Sequence, residues 1–262
     1  MKYSICYNPD MKNSQVVLDD LKNILLKNNL DFEVLNIENL KSGYDFVFVI
    51  GGDGTILKAA RFYANFDIPI FGINLGRLGF LSQTLPENLE ISIKQILSNN
   101  YRVEKRLMLK ANGYNALNDF VIKSETLGRI SRFALEIDGK FVCEYLADGI
   151  IVSTPTGSTA YGMAAGGPIL TPDSEVIAVV PICPHTFTAR PIVVSAESKI
   201  KILPIDSVSY SVYADGQIAF EINEALTIQK ADNKADLALL DENEFYTVLR
   251  NKLHWGISPA VS

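Results

Sequence analysis

Gly51-Gly52-Asp53-Gly54-Thr55 is the stretch of this chain with the most chemical potential. It follows the apolar run Asp45–Ile50 and precedes a helical pattern, so it reads as a strand-to-helix turn. Its glycines let backbone approach a ligand closely. The helix start beyond them presents free N–H groups and a positive dipole end, which suit phosphate. An acid in such a loop repels a bound anion unless it accepts a hydroxyl proton or holds a divalent cation. The plainer alternative makes Asp53 the helix N-cap. The loop matches neither GxxxxGK[ST] nor GxGxxG, so it is neither a P-loop nor an ordinary dinucleotide fingerprint.

Three further stretches hold polar groups at suggestive places. Asn118-Asp119 opens the strand pattern Ala116–Lys123. Asn supplies a donor and an acceptor, and Asp accepts from vicinal hydroxyls such as those of a ribose; the same pair is also common in plain turns. Asp148–Tyr161 (DGIIVSTPTGSTAY) ends a β-rich run in hydroxyls and small residues where a helix is expected to start. These side chains could form a polar cradle, with the Tyr161 ring stacking on a flat base, or a helix cap with solvated hydroxyls. Ala164-Ala165-Gly166-Gly167-Pro168 continues with small residues. In Pro181–Val194, His185 beside a proline reads as structural before catalytic, and Arg190 as plain surface before a phosphate contact.

The elements that must position these groups fall into two textures. Up to about residue 100, strand and helix patterns alternate. Strands are expected at Tyr3–Tyr7, Asp31–Ile37, Asp45–Ile50 and Pro69–Ile73. Helices are expected from Ser14, as a cap, to about Asn28; from Gly54 to about Asn65; and over Pro86–Leu97. The nearly all-apolar DFVFVI suits a parallel strand covered on both faces, and the alternation argues for an open α/β layer. From Tyr101, Asn112-Gly113, Asp138-Gly139 and Asp215-Gly216 sit between β-branched and aromatic runs. Such dipeptides supply the positive φ angles of tight hairpins, so residues 101–240 read as mostly antiparallel β. A last helix is expected over about Glu242–Leu253, packing back on the first region.

Composition narrows the setting. The 262 residues suggest about two domains. A net charge of −6 argues against a general nucleic-acid binder. Cys6, Cys143 and Cys183 are too dispersed for a metal or redox motif, and only two histidines are present, which argues for the cytoplasm and against a His-rich metal site. No apolar run approaches the ~20 residues of a membrane span.

Taken together, the motifs resemble the NAD kinase family. The matching pieces are GGDGT at 51–55, NLGRLGFL at 74–81, Asn118-Asp119, DGIIVSTPTGSTAYGMAAGGP at 148–168, PHTFTARPIVV at 184–194 and DGQ at 215–217, in the family's order. GGDGT alone is shared with lipid kinases and phosphofructokinases; TPTGSTAY with the Asn–acid pair selects this family. The other candidates are a lipid or sugar kinase with the same loop and a non-catalytic NAD(P)-binding sensor.

The resemblance implies a Rossmann-like α/β domain over 1–100, a β-rich NAD-binding domain over 101–240, NAD bound between them, and a homodimer or homotetramer. It implies the reaction ATP + NAD → ADP + NADP with Mg²⁺ or another divalent cation, metal ligands unspecified. Asp53 is then the catalytic acid, acting on the 2′-hydroxyl of the adenosine ribose. Gly52 and Gly54 border the phosphates, with Thr55 of the same loop among the binding residues. Asn118 and Asp119 contact NAD hydroxyls and adenine. Thr159, Ala160 and Tyr161 line the adenine and ribose pocket, with Thr156, Ser158 and Ala164 of the same segment among the binding residues. Phe80 lies on the adenine side, and Asp148 reaches the nicotinamide end across a subunit interface. The chain departs from many bacterial relatives in carrying Asp119 for Glu, and from some in carrying Ala164 for Ser.

Overall fold

The computed structural model describes residues 1–76, 79–124, 130–206, 209–241 and 245–254. The chain divides into two compact units, one of residues 1–105 with 235–262, the other of residues 106–234.

The first unit is a helix-flanked, mainly parallel sheet. Its strands are β1 (Tyr3–Tyr7), β2 (Phe32–Asn36), β3 (Phe46–Ile50), β4 (Ile70–Ile73), β5 (Ser82–Thr84), β6 (Arg102–Arg106) and, from the far end of the chain, β19 (Ala235–Leu239). They run in the order β2-β1-β3-β4-β19-β6, with β5 also paired to β4. All five residues of β3 are buried, as expected for a strand covered on both faces. The helices are α1 (Ser14–Lys27), α2 (Asp53–Tyr63), α3 (Leu89–Leu97) and the C-terminal α5 (Phe245–Leu253).

Helix α1 buries Val17, Leu18, Leu21 and Leu25, one stripe of its surface, against the sheet. Its start differs from expectation. Ser14 is the first helical residue and is 1% exposed, while Asn13 stands at the cap position with φ +67° and makes no side-chain cap hydrogen bond. Burial of Ser14 under the helix start removes its hydroxyl from the capping role. Residues 242–244 of the expected last helix lie outside the described residues.

The second unit is two antiparallel sheets. Its strands are β7 (Leu109–Ala111), β8 (Tyr114–Ala116), β9 (Asp119–Ser124), β10 (Ser131–Ile137), β11 (Lys140–Ala147) and β12 (Gly149–Ser153). They continue as β13 (Val176–Ile182), β14 (Ile192–Ser195), β15 (Ile200–Pro204), β16 (Tyr210–Ala214), β17 (Ile218–Ile222) and β18 (Leu226–Lys230). One sheet runs β11-β10-β15-β18-β7-β8, the other β14-β13-β12-β9-β16-β17. Phe120, Ile122, Phe133, Leu135, Ile150, Val152, Tyr210 and Val212 belong to one buried cluster between them. Both residues of each Asx-Gly pair adopt positive φ, from +47° at Asn112 to +80° at Gly113, which fixes the β7–β8, β10–β11 and β16–β17 turns. After β12, a 3-10 turn (Thr156–Thr159) leads into the one-turn helix α4 (Tyr161–Ala164).

Candidate active site

In the first unit the GGDGT loop connects β3 to α2. Gly51 donates its N–H to the Ile73 carbonyl (3.0 Å). A Cβ there would lie 2.5 Å from that of Thr55, so the turn has room only for glycine. Gly52 occupies the N-cap position in extended backbone, and its carbonyl accepts from Thr55 N–H (2.9 Å) and Ile56 N–H (3.1 Å). Asp53 is therefore the first helical residue and not the cap. Gly54 beside it is exposed and Thr55 is buried.

The Asp53 carboxylate is held in an unequal way. Its Oδ2 accepts the Phe80 N–H at 3.1 Å. Its Oδ1 is buried and has no hydrogen-bond partner among the described residues. Gly79 closes over it: a Cβ at Gly79 would come within 2.6 Å of Oδ2 and closer still to Oδ1. That loop is anchored by Ser82, whose Oγ accepts the Gly79 N–H (2.6 Å) and an Asn74 side-chain N–H (3.4 Å). Lys252 of α5 lies 5.2 Å from the centroid of the Phe80 ring. A buried acceptor left unpaired is costly. Here it stands at the positive end of α2, which favours a negative charge. Arg77 and Leu78 of the NLGRLGFL segment lie outside the described residues.

In the second unit three segments converge on Asn118-Asp119. Thr154 donates its N–H to the Asn118 carbonyl (2.9 Å) and its hydroxyl to the Leu117 carbonyl (2.6 Å). The Gly157 N–H in turn donates to Thr154 Oγ1 (3.0 Å). Gly157 packs backbone to backbone on Asn118, where a Cβ would sit 2.5 Å from the carbonyl carbon and 2.7 Å from Cα. The third segment is the β16–β17 turn. Asp215 accepts the N–H groups of Leu117 (3.0 Å), Asn118 (2.7 Å) and Asp119 (3.2 Å). In the sequence, Asp215 stands out as a turn residue and as part of the DGQ piece of the resemblance, with no role assigned to its side chain. Its contacts span 96 residues or more of sequence, so no local pattern reveals them.

Asp119 is 4% exposed. Burial, with the Asp215 charge added, pushes its carboxyl up to about 7. A raised carboxyl favours the folded state below the ordinary value of about 4 and loses that contribution as pH rises through 7. Asp119→Asn should therefore gain thermal stability relative to the unaltered protein between pH 4 and pH 8. Melting curves that run parallel across that range would refute the shift.

The hydroxyls of the TPTGSTAY segment mostly face inward. Ser158 is 2% exposed, donates to the Pro155 carbonyl (2.6 Å) and accepts the Leu170 N–H (3.0 Å). Thr156 is 6% exposed and its hydroxyl accepts from Arg106 (3.3 Å). These two act within the chain, where the sequence suggested a cradle open to a ligand. Thr159, Ala160, Tyr161 and Ala164 reach the surface, as does Asp148. Lys123 of β9 lies 4.9 Å from the Tyr161 ring centroid, a cation–π contact with no signal in the sequence. His185 and Arg190 are exposed; Arg190 donates to the Phe187 and Ala189 carbonyls, a local structural role.

Among the described residues no group of three or more His, Cys, Asp or Glu could hold a metal ion.

Comparison with known proteins agrees with this arrangement of motifs. The ATP-NAD kinase N-terminal domain family matches residues 3–101, and the ATP-NAD kinase C-terminal domain family matches residues 117–240. A protein of Thiobacillus denitrificans called NAD kinase is 40% identical over 237 residues, covering 86% of this chain and 82% of the relative. One of Pseudomonas fluorescens with the same name is 43% identical over 225 residues, 81% of this chain and 76% of the relative. The crystal structure of an NAD kinase from Archaeoglobus fulgidus in complex with ATP superposes with a TM-score of 0.84 at 30% identity, covering 97% of this chain and 99% of that one. Yeast NADH kinase complexed with NADH shares the fold, with a TM-score of 0.87 at 21% identity over 100% of this chain and 90% of that one. With both halves matched and such identity over most of its length, the chain belongs to the NAD kinase family of enzymes.

Proposed function

We propose that this chain transfers the γ-phosphoryl group of ATP to the 2′-hydroxyl of the adenosine ribose of NAD, giving ADP and NADP. The observation that carries this reading is the Asp53 carboxylate, pinned through Oδ2 and left with an unpartnered buried Oδ1 at the start of α2. That oxygen would accept the 2′-hydroxyl proton while the hydroxyl oxygen attacks the γ-phosphorus. The bond from that phosphorus to the β–γ bridging oxygen breaks, and ADP leaves with its electrons. Such a transfer needs positioning, charge stabilisation and a proton acceptor, and little covalent chemistry from protein. Gly52, Gly54 and Thr55 would border the phosphates, aided by the dipole of α2.

Asn118 and Asp119 would hold NAD hydroxyls and adenine. Thr159, Ala160, Tyr161 and Ala164 would line the adenine and ribose pocket, and Phe80 would add its ring on the adenine side. Thr156 and Ser158 would shape that pocket from behind, and Asp148 would reach the nicotinamide end of NAD held by a second copy. A divalent cation such as Mg²⁺ enters on this reading as the complex with ATP, as part of the substrate. The decisive assay offers NAD with ATP, other nucleoside triphosphates and polyphosphate in turn and measures NADP. No NADP with any donor would sink the reading.

We also propose a homo-oligomer in the cytoplasm. Phe141, Val142 and Leu146 of β11 are exposed and Phe187 is 99% exposed, large apolar side chains that a second copy could cover. The three cysteines are free thiols, which suits a reducing compartment. Light scattering should return twice or four times the 28.9 kDa chain mass; a mass of one chain would refute the assembly.

A further inference from the structure

Asp215 does more than its turn requires. At φ +51°, the first residue of the β16–β17 turn could equally be Asn or Gly. Its carboxylate instead collects three consecutive backbone N–H groups, with Oδ1 taking Asn118 (2.7 Å) and Asp119 (3.2 Å) and Oδ2 taking Leu117 (3.0 Å). The Asp215 N–H returns a bond to the Asp119 carbonyl (2.9 Å). On the opposite edge of the same peptides, Thr154 donates to the Leu117 and Asn118 carbonyls. Segment 117–119 is thus fixed through its N–H groups by one side chain and through its carbonyls by another residue.

Hydrogen bonds to a carboxylate are shorter and about twice as strong as neutral ones. Consecutive N–H groups turned to one side form a concavity that selects an anion. An internal carboxylate fills that concavity here, so the segment's direction is set before any ligand arrives.

We infer that Asp215 is the positioning residue for the Asn118–Asp119 pair, fixing the backbone from which both side chains project toward NAD. This rests on the reading that the pair holds NAD. Asp215 touches no substrate in this scheme; it acts through the backbone of 117–119. Ordering of a site before binding raises affinity by reducing what binding must immobilise.

The test measures steady-state kinetics with NAD and ATP varied separately, for the unaltered protein, Asn118→Ala, Asp215→Asn and the double variant, with melting temperatures alongside. Asp215→Asn keeps the size of the side chain but turns an NH₂ toward at least one of the three N–H groups. Its KM for NAD should rise roughly tenfold to a hundredfold. Its KM for ATP should stay within about twofold and kcat should fall less than KM rises. The double variant should show less than the product of the single effects, as expected of residues acting through one segment.

A folded Asp215→Asn with normal NAD KM, beside an impaired Asn118→Ala, overturns the positioning role alone. Equal losses in kcat and in both KM values also overturn it, since they mark a merely structural residue. An unimpaired Asn118→Ala overturns the reading of the pair, and the inference with it. If Asp215→Asn melts below the assay temperature, Asp215→Glu replaces it in the same cycle. It keeps the charge on a longer arm, and its NAD KM should rise selectively by a smaller factor.

Discussion

Asp53→Asn should leave a folded protein that still binds NAD and turns over about 10²–10⁴-fold more slowly, the usual loss on removing a general base. The side-chain volume is kept, and the amide oxygen can still accept the Phe80 N–H that Oδ2 accepts now. The change is confined to the Oδ1 position, where an NH₂ group that donates would replace an oxygen that only accepts. A tenfold loss corresponds to about 1.36 kcal/mol of barrier, so this range is about 3–5 kcal/mol. The cost to the fold is smaller. A carboxylate in the first turn of a helix stabilises it by about 0.3–1 kcal/mol, which is all that Asn would forfeit. Rates of NADP formation at saturating substrates, with the melting temperature, separate the two effects. Turnover within threefold of the unaltered enzyme would remove Asp53 from the base role.

Gly157→Ala should damage the other half of the chain. The added Cβ would meet the Asn118 backbone at 2.5–2.7 Å from its carbonyl carbon and Cα, and closer to its oxygen. No rotamer change relieves a clash between two backbones. The Asn118 side cannot drift either, because Thr154 and Asp215 hold residues 117–119. Overpacking of this kind costs about 1–3 kcal/mol, occasionally more. At roughly 2–4 °C per kcal/mol for a chain of this size, the melting temperature should fall several degrees. The NAD KM should rise with it, since the segment forced to move carries Asn118. An unchanged melting temperature and an unchanged NAD KM would show that the turn yields without cost.

How far the sequence could be read depended on whether a signal was local. β3 was legible because DFVFVI has one explanation, a strand covered on both faces. The three Asx-Gly turns were legible because so few residues accept positive φ. The GGDGT loop was legible as a strand-to-helix turn, though not the detail that Gly52 takes the cap and frees Asp53 to face Phe80 and Gly79. The direction of a hydroxyl was not legible at all. Ser158 and Thr156 could serve ligand or chain equally well until the positions of Leu170 and Arg106 were known. The contacts of Asp215 and of Lys123 with Tyr161 likewise lie outside any window of sequence, because strand order alone creates them. Ser14 shows the reverse error: a good capping residue overruled by its own burial.

The placement of β19 has a consequence for how the molecule comes into being. That strand lies between β4 and β6 in the first sheet, with Leu237 beside Ile70. The sheet is therefore built from both ends of the polypeptide, and the whole second unit is an insertion within it. During synthesis the strands up to β6 leave the ribosome first, yet the gap between β4 and β6 stays open until residues 235–239 emerge. The β-rich insertion has all of its own strands by residue 230. The unit translated later can thus complete its hydrogen-bond ladders first, and the start of the chain waits for its end. Such long-range closure is the slow class of folding event, and an open sheet edge during the delay is a place where a nascent chain can mispair.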